Sequence, residues 1–153
     1  MAALKNELKQ SRGFESPEQE AFLNLQRTAS FLVGPFASKL KENHLSLPLY
    51  NILRILRGQK GNGLSCTEIS ERMVTRDSDI TRLIDRLEKA EFVRRERSTT
   101  DRRVVLTSIT GAGAALLERL DAPMLALHRE TLGHLSRTDL KDLNRLLVQA
   151  RSG

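Results

Sequence analysis

Hydrophobic and polar positions alternate with helical spacing along most of the chain. In residues 75–90, aliphatic side chains fall at i, i+3, i+4 and i+7, which is the spacing of one buried helical stripe. They are Ile80, Leu83, Ile84 and Leu87. The opposite face is polar and carries Ser78, Thr81, Arg82, Asp85, Arg86 and Lys89. A polar helix face is commonly only solvated. The elements that flank this helix in the sequence are therefore needed to judge whether the face binds a partner.

Similar stripes predict helices before and after this segment. Residues 16–19 (SPEQ) predict a helix start with Ser16 as N-cap and Gln19 closing a capping box, and the stripe then runs to about residue 43 through a kink at Pro35. Ser46 caps a second helix that ends near residue 58, and residues 65–68 (SCTE) form another capping box. Two more helices are predicted after residue 110, the last one opened by residues 136–139.

The polar helix lies between two informative elements. Before it comes the short helix at residues 65–73, with Thr75 or Asp77 as the N-cap of the polar helix. After it come two β-prone segments, 92–97 and 103–109, joined by a polar and basic tip. We therefore predict a mainly α fold with a small β-hairpin wing (α+β), a winged helix-turn-helix whose second helix enters the DNA major groove.

We interpret the chain as a single unit of 153 residues. Residues 46–110 would form the compact DNA-binding lobe, and residues 16–45 and 111–151 would be long dimerisation helices. The apolar stripes of those terminal helices need a partner, and a second copy of the chain is the economical one. Residues 1–15 form a polar arm with room for a turn or two of helix.

Composition supports a nucleic-acid partner. The formal net charge is +6 and the pI is about 10.0, which favours a polyanion. A single cysteine cannot form an intramolecular disulfide, and no apolar run is long enough to span a membrane. The first residues also lack the apolar core of a signal peptide, so we expect a cytoplasmic protein.

No catalytic constellation is visible, so we expect neither an enzyme nor a cofactor. Cys66 could be a redox switch. However, it lies on the inner stripe with Ile69, and this position favours the role of a small apolar residue. The three histidines lack metal-ligand spacing, and we expect no metal. A zinc site built from His44, His128 and Glu130 is the disfavoured alternative.

Three short segments resemble the MarR (multiple antibiotic resistance regulator) family of winged-helix regulators. They are residues 81–87 (TRLIDRL), 92–95 (FVRR), and 101–103 (DRR) followed by 109–113 (ITGAG). The resemblance implies a homodimer that binds a pseudo-palindromic operator in double-stranded DNA, usually as a repressor, and that is released by a small phenolic ligand, an oxidant or a metal. One departure is Glu91, where the family commonly has glycine. Glutamate would be strained in a left-handed C-cap, so we expect this helix to end differently.

The DNA-binding candidates divide between the helix and the wing. Thr81, Arg82 and Arg86 are candidates for base contacts in the major groove, and Ser78 for a phosphate. Asp85 would orient Arg82 or Arg86, or accept from cytosine; the bland alternative for Arg86 is a surface pair with Asp85 or Glu88. The wing candidates are Arg97, Asp101, Arg102 and Arg103. The resemblance implies that Asp101 steadies Arg103, which reaches into the minor groove. The alternative is that the two residues only brace the hairpin.

By analogy with the family, a pocket for a small aromatic effector should lie between the lobe and the dimer helices. Its candidate lining residues are Phe36, Leu40, His44, Leu45 and Tyr50. Two other functions remain open: a ligand- or metal-sensing module, and a protein-interaction module, neither of which binds DNA directly. The interaction module requires an apolar outer face on residues 77–89, where the sequence has polar groups.

Overall fold

Seven helices and one two-stranded hairpin follow one another in the described part of this computed structural model, which is residues 4–59, 63–76 and 79–152. The elements are α1 (Leu4–Glu7), α2 (Pro17–Lys41), α3 (Leu47–Gly58), α4 (Cys66–Arg72), α5 (Ile80–Lys89), β1 (Val93–Arg97), β2 (Val105–Ile109), α6 (Gly111–Leu132) and α7 (Arg137–Ala150). This order confirms the predicted class, a mainly α fold with a small β-hairpin wing.

Capping chemistry sets most helix starts. A side-chain oxygen accepts a hydrogen bond from the backbone N–H three residues later at Ser16, Ser46, Ser65, Thr110 and Ser136. The predicted box of Ser65 and Glu68 forms in both directions. At α2 only Ser16 acts as predicted, because the Gln19 side chain accepts from the backbone N–H of Glu15 at 2.7 Å, one residue before the cap.

The predicted start of α5 was wrong. Its N-cap is Asp79, whose carboxylate accepts from the backbone N–H of Arg82 at 3.3 Å, and not Thr75; Asp77, the other candidate, lies outside the described residues. The Asn51 side chain of α3 accepts the backbone N–H of Val74 at 2.8 Å. This bond satisfies the backbone N–H of Val74 outside a helix, and α5 begins at Ile80, the first residue of the buried stripe.

The core crosses both boundaries of the predicted 46–110 lobe. Phe36 and Leu40 of α2 lie in the same hydrophobic cluster as the inner faces of α3, α4 and α5. So do four residues of α6, namely Leu116, Leu117, Leu120 and Met124. The core of the predicted lobe therefore includes parts of α2 and α6, because α3 packs against both helices.

The hairpin is antiparallel, with Val93 opposite Ile109 and Arg95 opposite Thr107. Leu64 extends it by a single bridge: its backbone exchanges hydrogen bonds of 2.9 and 2.8 Å with Thr107. Val93, Leu64 and Thr107 are buried, which fixes the base of the wing in the core.

Glu91 does not make α5 end differently, so that prediction was wrong. Its φ is +62°, and it occupies the left-handed position that usually takes glycine. The backbone N–H groups of Phe92 and Glu91 donate to the carbonyls of Leu87 and Glu88, both at 2.9 Å, which is the Schellman pattern. His44, with φ +56°, closes α2 in the same way. The hydrogen bonds and the buried Val93 behind the turn outweigh the local strain.

The terminal helices keep large apolar side chains at the surface. None of the described residues of α7 is buried. On α2, α6 and α7 the exposed large hydrophobic residues are Phe22, Leu25, Phe31, Val33, Leu125, Leu143, Leu146 and Val148. Among the described helices, none is both long enough and apolar enough to cross a bilayer.

Candidate nucleic-acid interface

The outward face of α5 is exposed and cationic. Thr81, Arg82, Arg86 and Lys89 are all exposed, as predicted for the polar face. Arg82 makes one loose pair, with its Nη1 3.9 Å from Oδ2 of Asp79, and its side chain is 80% exposed. Arg86 has no ion pair with any residue that the structure describes. Ser78, the predicted phosphate contact, lies outside the described residues.

The two acidic side chains of α5 bind an arginine of the hairpin instead. Nη1 of Arg95 lies 2.7 Å from Oδ1 of Asp85, and its Nε lies 2.9 Å from Oε2 of Glu88, which also binds Nη2. The hydrogen bond from Arg95 lowers the pKa of Glu88, and its bond to Glu88 raises the pKa of the guanidinium. Asp85 therefore does not orient Arg82 or Arg86, and the surface pair between Arg86 and these carboxylates is absent.

Sequence reasoning did not single out Arg95 and missed this role. Strand alternation carries the signal that could have found it. Val93 must face the core, so Arg95 and Arg97 share its side of β1, whereas Arg94 and Glu96 face the other side. A half-buried arginine beside the helix that precedes the strand needs carboxylates, and α5 supplies two.

The wing tip is held by its own hydrogen bonds. Ser98 is buried, its Oγ accepts from the backbone N–H groups of Thr100 at 3.2 Å and Asp101 at 3.3 Å, and its own N–H donates to the carbonyl of Val104 at 2.9 Å. The carboxylate of Asp101 accepts the backbone N–H of Arg103 at 2.9 Å. Residues 98–104 are thus a defined turn rather than a loose loop.

Asp101 braces the backbone of the wing and leaves its cations free. Its bond goes to the N–H of Arg103 and not to the guanidinium. Arg97, Arg102 and Arg103 are exposed, and none of them forms an ion pair within the described ranges. The predicted wing residues therefore comprise three exposed arginines without an ion pair in the described ranges and one aspartate whose carboxylate accepts from the backbone.

The start of α6 locks the wing to the end of α5. Thr110 caps α6 by accepting the N–H of Gly113 at 3.1 Å, and its hydroxyl donates to the carbonyl of Glu91 at 2.7 Å. Its backbone N–H donates to the carbonyl of Phe92 at 3.0 Å. The threonine-x-x-glycine spacing (Thr110 to Gly113) lets one hydroxyl bind two elements. It accepts from the N–H of Gly113 in α6 and donates to Glu91 at the end of α5.

The predicted effector residues lie at the junction of α2 and α3. Phe36, Leu40 and Leu45 are in the core, Tyr50 is half-buried against it, and His44 is exposed. The ring of Phe36 also contacts His128 of α6, with centroids 4.6 Å apart. An effector pocket at these residues stays a prediction.

Metal-binding chemistry is absent from the described part of the chain. No three histidine, cysteine or acidic side chains there lie close enough to hold an ion, and this includes His44, His128 and Glu130. Cys66 is half-buried and packs against the core, in keeping with the small apolar role.

Comparison with known proteins points to one family. The family model described as MarR family matches residues 45–105. The HTH-type transcriptional regulator PapX of Escherichia coli is 38% identical over 72 residues, which are 47% of this chain and 44% of PapX. The chain thus spans less than half the length of this curated relative.

Solved structures extend the likeness over nearly the whole chain. A MarR transcription factor from Planctomyces limnophilus is 38% identical, with a TM-score of 0.69 over 90% of this chain and 99% of that one. Sco3205, a MarR family transcriptional regulator from Streptomyces coelicolor solved in complex with DNA, has a TM-score of 0.81 at 22% identity, over 94% of this chain and 91% of its own. The second likeness shows a shared fold, and the first shows kinship. With its winged helix, its match to the family model and its 38% identity to the Planctomyces limnophilus protein over 99% of that chain, the chain belongs to the MarR family.

Proposed function

We propose that this chain is a homodimeric transcriptional regulator, and most simply a repressor, that binds a pseudo-palindromic operator in double-stranded DNA. One observation carries the proposal: the cations on the outer face of α5 are exposed, while the acidic groups of that helix are bound by Arg95. Negative charge beside a phosphate backbone is unfavourable, and this arrangement compensates it. The fold shared with Sco3205, whose structure contains DNA, supports the same function.

In this proposal α5 enters the major groove and supplies the base contacts. Arg86 and Arg82 can each form two hydrogen bonds with O6 and N7 of guanine, and the methyl group of Thr81 can pack on that of thymine. Ser78 is proposed as a phosphate contact just before the helix. The free guanidinium of Arg86 supports its role, since a paired arginine would first have to break its ion pair.

The wing is proposed to reach the adjacent minor groove. Arg103 would insert there, with Arg102 and Arg97 on the flanking phosphates. Asp101 supports this role through its bond to the backbone of Arg103, because the backbone of a turn that is already formed does not have to be ordered on binding. The family role and the bracing role of Asp101 are thus compatible.

Dimerisation is proposed through the terminal helices. Their exposed apolar residues, together with an α7 that has no buried residue, form a surface that a second copy would cover. A two-fold axis between the copies would place both α5 helices about 34 Å apart, in successive major grooves. We place the protein in the cytoplasm, where it meets its operator.

Release by an effector is proposed at the junction of α2, α3 and α6. The rings of Phe36 and His128 are in tilted contact here, with centroids 4.6 Å apart, and Leu40, His44, Leu45 and Tyr50 lie at the end of α2 and the start of α3. A small aromatic acid suits such a site, because rings can stack while a cation or ring N–H binds the carboxylate. Thermal shift against a panel of aromatic acids, followed by DNA release, tests it.

Selection of bound fragments from a random duplex pool tests the central proposal. We expect a consensus with two-fold symmetry and half-sites one helical turn apart, together with a dimer mass in light scattering. Enrichment of no sequence would contradict DNA readout, and a monomer at assay concentration would contradict the symmetric mode. The exposed outer face of α5 is polar, so no observation favours a protein-interaction module.

A further inference from the structure

We propose that Arg95 is a positioning residue that fixes the orientation of α5 relative to the wing and thereby sets operator specificity. The inference rests on the proposed DNA-binding function. It goes beyond it by assigning specificity to a residue that does not itself touch the DNA.

The backbone of Arg95 lies at the base of the wing, beside the core. It pairs across the sheet with Thr107, which is fully buried and is bridged by backbone hydrogen bonds to Leu64 on its other side. The side chain of Arg95 is itself only 30% exposed. The sheet therefore holds the backbone from which the Arg95 side chain extends toward α5.

The contacts on α5 span almost one helical turn. Asp85 and Glu88 are three residues apart, and three nitrogen atoms of Arg95 engage them. A planar guanidinium held at several points resists rotation and sliding of the helix more than a single pair would. We call these contacts of Arg95 with Asp85 and Glu88 the clamp. Because Asp85 directly precedes Arg86 and follows Arg82 by three positions, the clamp lies beside the face of α5 that is proposed to contact bases.

Two effects of the clamp predict opposite outcomes when its carboxylates are removed. If Arg95 only neutralises acidic groups near phosphate, then Asp85→Asn with Glu88→Gln should strengthen DNA binding, since two negative charges disappear. If Arg95 positions α5, the same double change should weaken binding to the selected operator, because base contacts need correct geometry.

The experiment measures Kd for the selected operator and for a scrambled duplex across a salt series. For Arg95→Gln and for the double change, we expect Kd for the operator to rise about tenfold while Kd for the scrambled duplex changes much less. For the double change, the slope of log K against log salt should stay as in wild type. A lost phosphate contact would instead reduce it by about 0.9. Arg95→Lys, which can satisfy one carboxylate only, should be intermediate.

Arg94→Gln is the matched control, since it removes the same charge from the same strand but from the opposite side, where Nε of Arg94 lies 3.4 Å from Oε1 of the exposed Glu96. We expect it to preserve the ratio of operator to scrambled affinity. Circular dichroism and thermal melts establish that each variant is folded at assay temperature; should Arg95→Gln unfold, Asp85→Asn alone and Glu88→Gln alone carry the test. Tighter binding by the double change, or an unchanged affinity ratio, would overturn the inference. A wild-type protein without sequence preference would instead refute the proposed function.

Discussion

A Cβ atom on Gly113 would lie 2.3 Å from the carbonyl oxygen of Phe92. The first turn of α6 therefore touches the backbone at the start of the wing, where Thr110 also bonds to Glu91 and Phe92. This close approach explains why the threonine-x-x-glycine motif ends in glycine. It also ties the wing to a helix of the proposed dimer region.

Gly113→Ala should destabilise the fold by about 1–3 kcal/mol, because backbone must move to admit the methyl group. Gly111→Ala is the matched control: it lies in the same helical turn, and a Cβ there meets no atom within 4 Å. Alanine favours helix over glycine, so that variant should be neutral or slightly more stable. Urea unfolding at one protein concentration measures both. Equal stability of the two variants would contradict the close contact.

Glu91→Gly should stabilise the protein, although it removes a side chain. The φ of +62° strains a non-glycine residue, and glycine relieves that strain while adding flexibility to the unfolded chain. We expect Glu91→Gly to exceed Glu91→Ala in unfolding free energy by about 1 kcal/mol, since alanine keeps the strain. Urea midpoints of the two variants provide the measurement, and an equal or reversed order would show that the turn is not strained.

Local chemistry made most of the fold predictable. Ser46, Ser65 and Thr110 mark the starts of their helices in the sequence, because an N-cap and the backbone N–H that it binds lie three residues apart. The start of α5 was less accessible, since several polar residues precede Ile80 and any of them could act as its N-cap, while the backbone at Val74 is bound by Asn51, which is distant in sequence. The outcome at Glu91 also depended on tertiary packing, which overrides a local preference.

The same distinction between local spacing and tertiary packing applies to the candidate interface. Spacing alone placed Thr81, Arg82 and Arg86 on one exposed face of α5. Which cations remain free did not follow from charge alone, because several carboxylates and arginines lie close in sequence and the path of the strand after the Glu91 turn brings Arg95 to Asp85. Burial of the sheet and not charge counting decides which arginine is bound.

Acid should weaken the contact between α3 and α6. Nη1 and Nη2 of Arg57 bind the two carboxylate oxygens of Asp121 at 2.7 and 2.8 Å, and these bonds lower the pKa of Asp121. A lowered folded pKa means that the stabilisation is complete above the unfolded value of about 3.9 and is lost as the pH falls through the folded pKa. Both side chains are partly exposed, so solvent screening limits the effect to about 1 kcal/mol or less.

Asp121→Asn should therefore be less stable than wild type at pH 7 and close to it near pH 2, which urea unfolding across the acid range can measure. Glu96→Gln, which removes a carboxylate from an exposed pair on β1, is the control and should change stability little at either pH. An equal deficit for Asp121→Asn at both pH values would mean that the ion pair contributes nothing beyond packing.

Arg86→Ala tests the division of labour between helix and wing. Arg86 is proposed to read one base, so its loss should weaken operator binding by about 1–3 kcal/mol and relax preference at a single base pair. Arg102→Ala is proposed to remove a phosphate contact, so affinity should fall for every duplex and the salt slope should drop by about 0.9. Arg12→Ala, in the arm before α2, removes an equal charge and should change neither quantity. The readouts are titrations against single-substitution operators at several salt concentrations. If Arg86→Ala lowered the affinity of all sequences alike, α5 would be contacting backbone instead of bases.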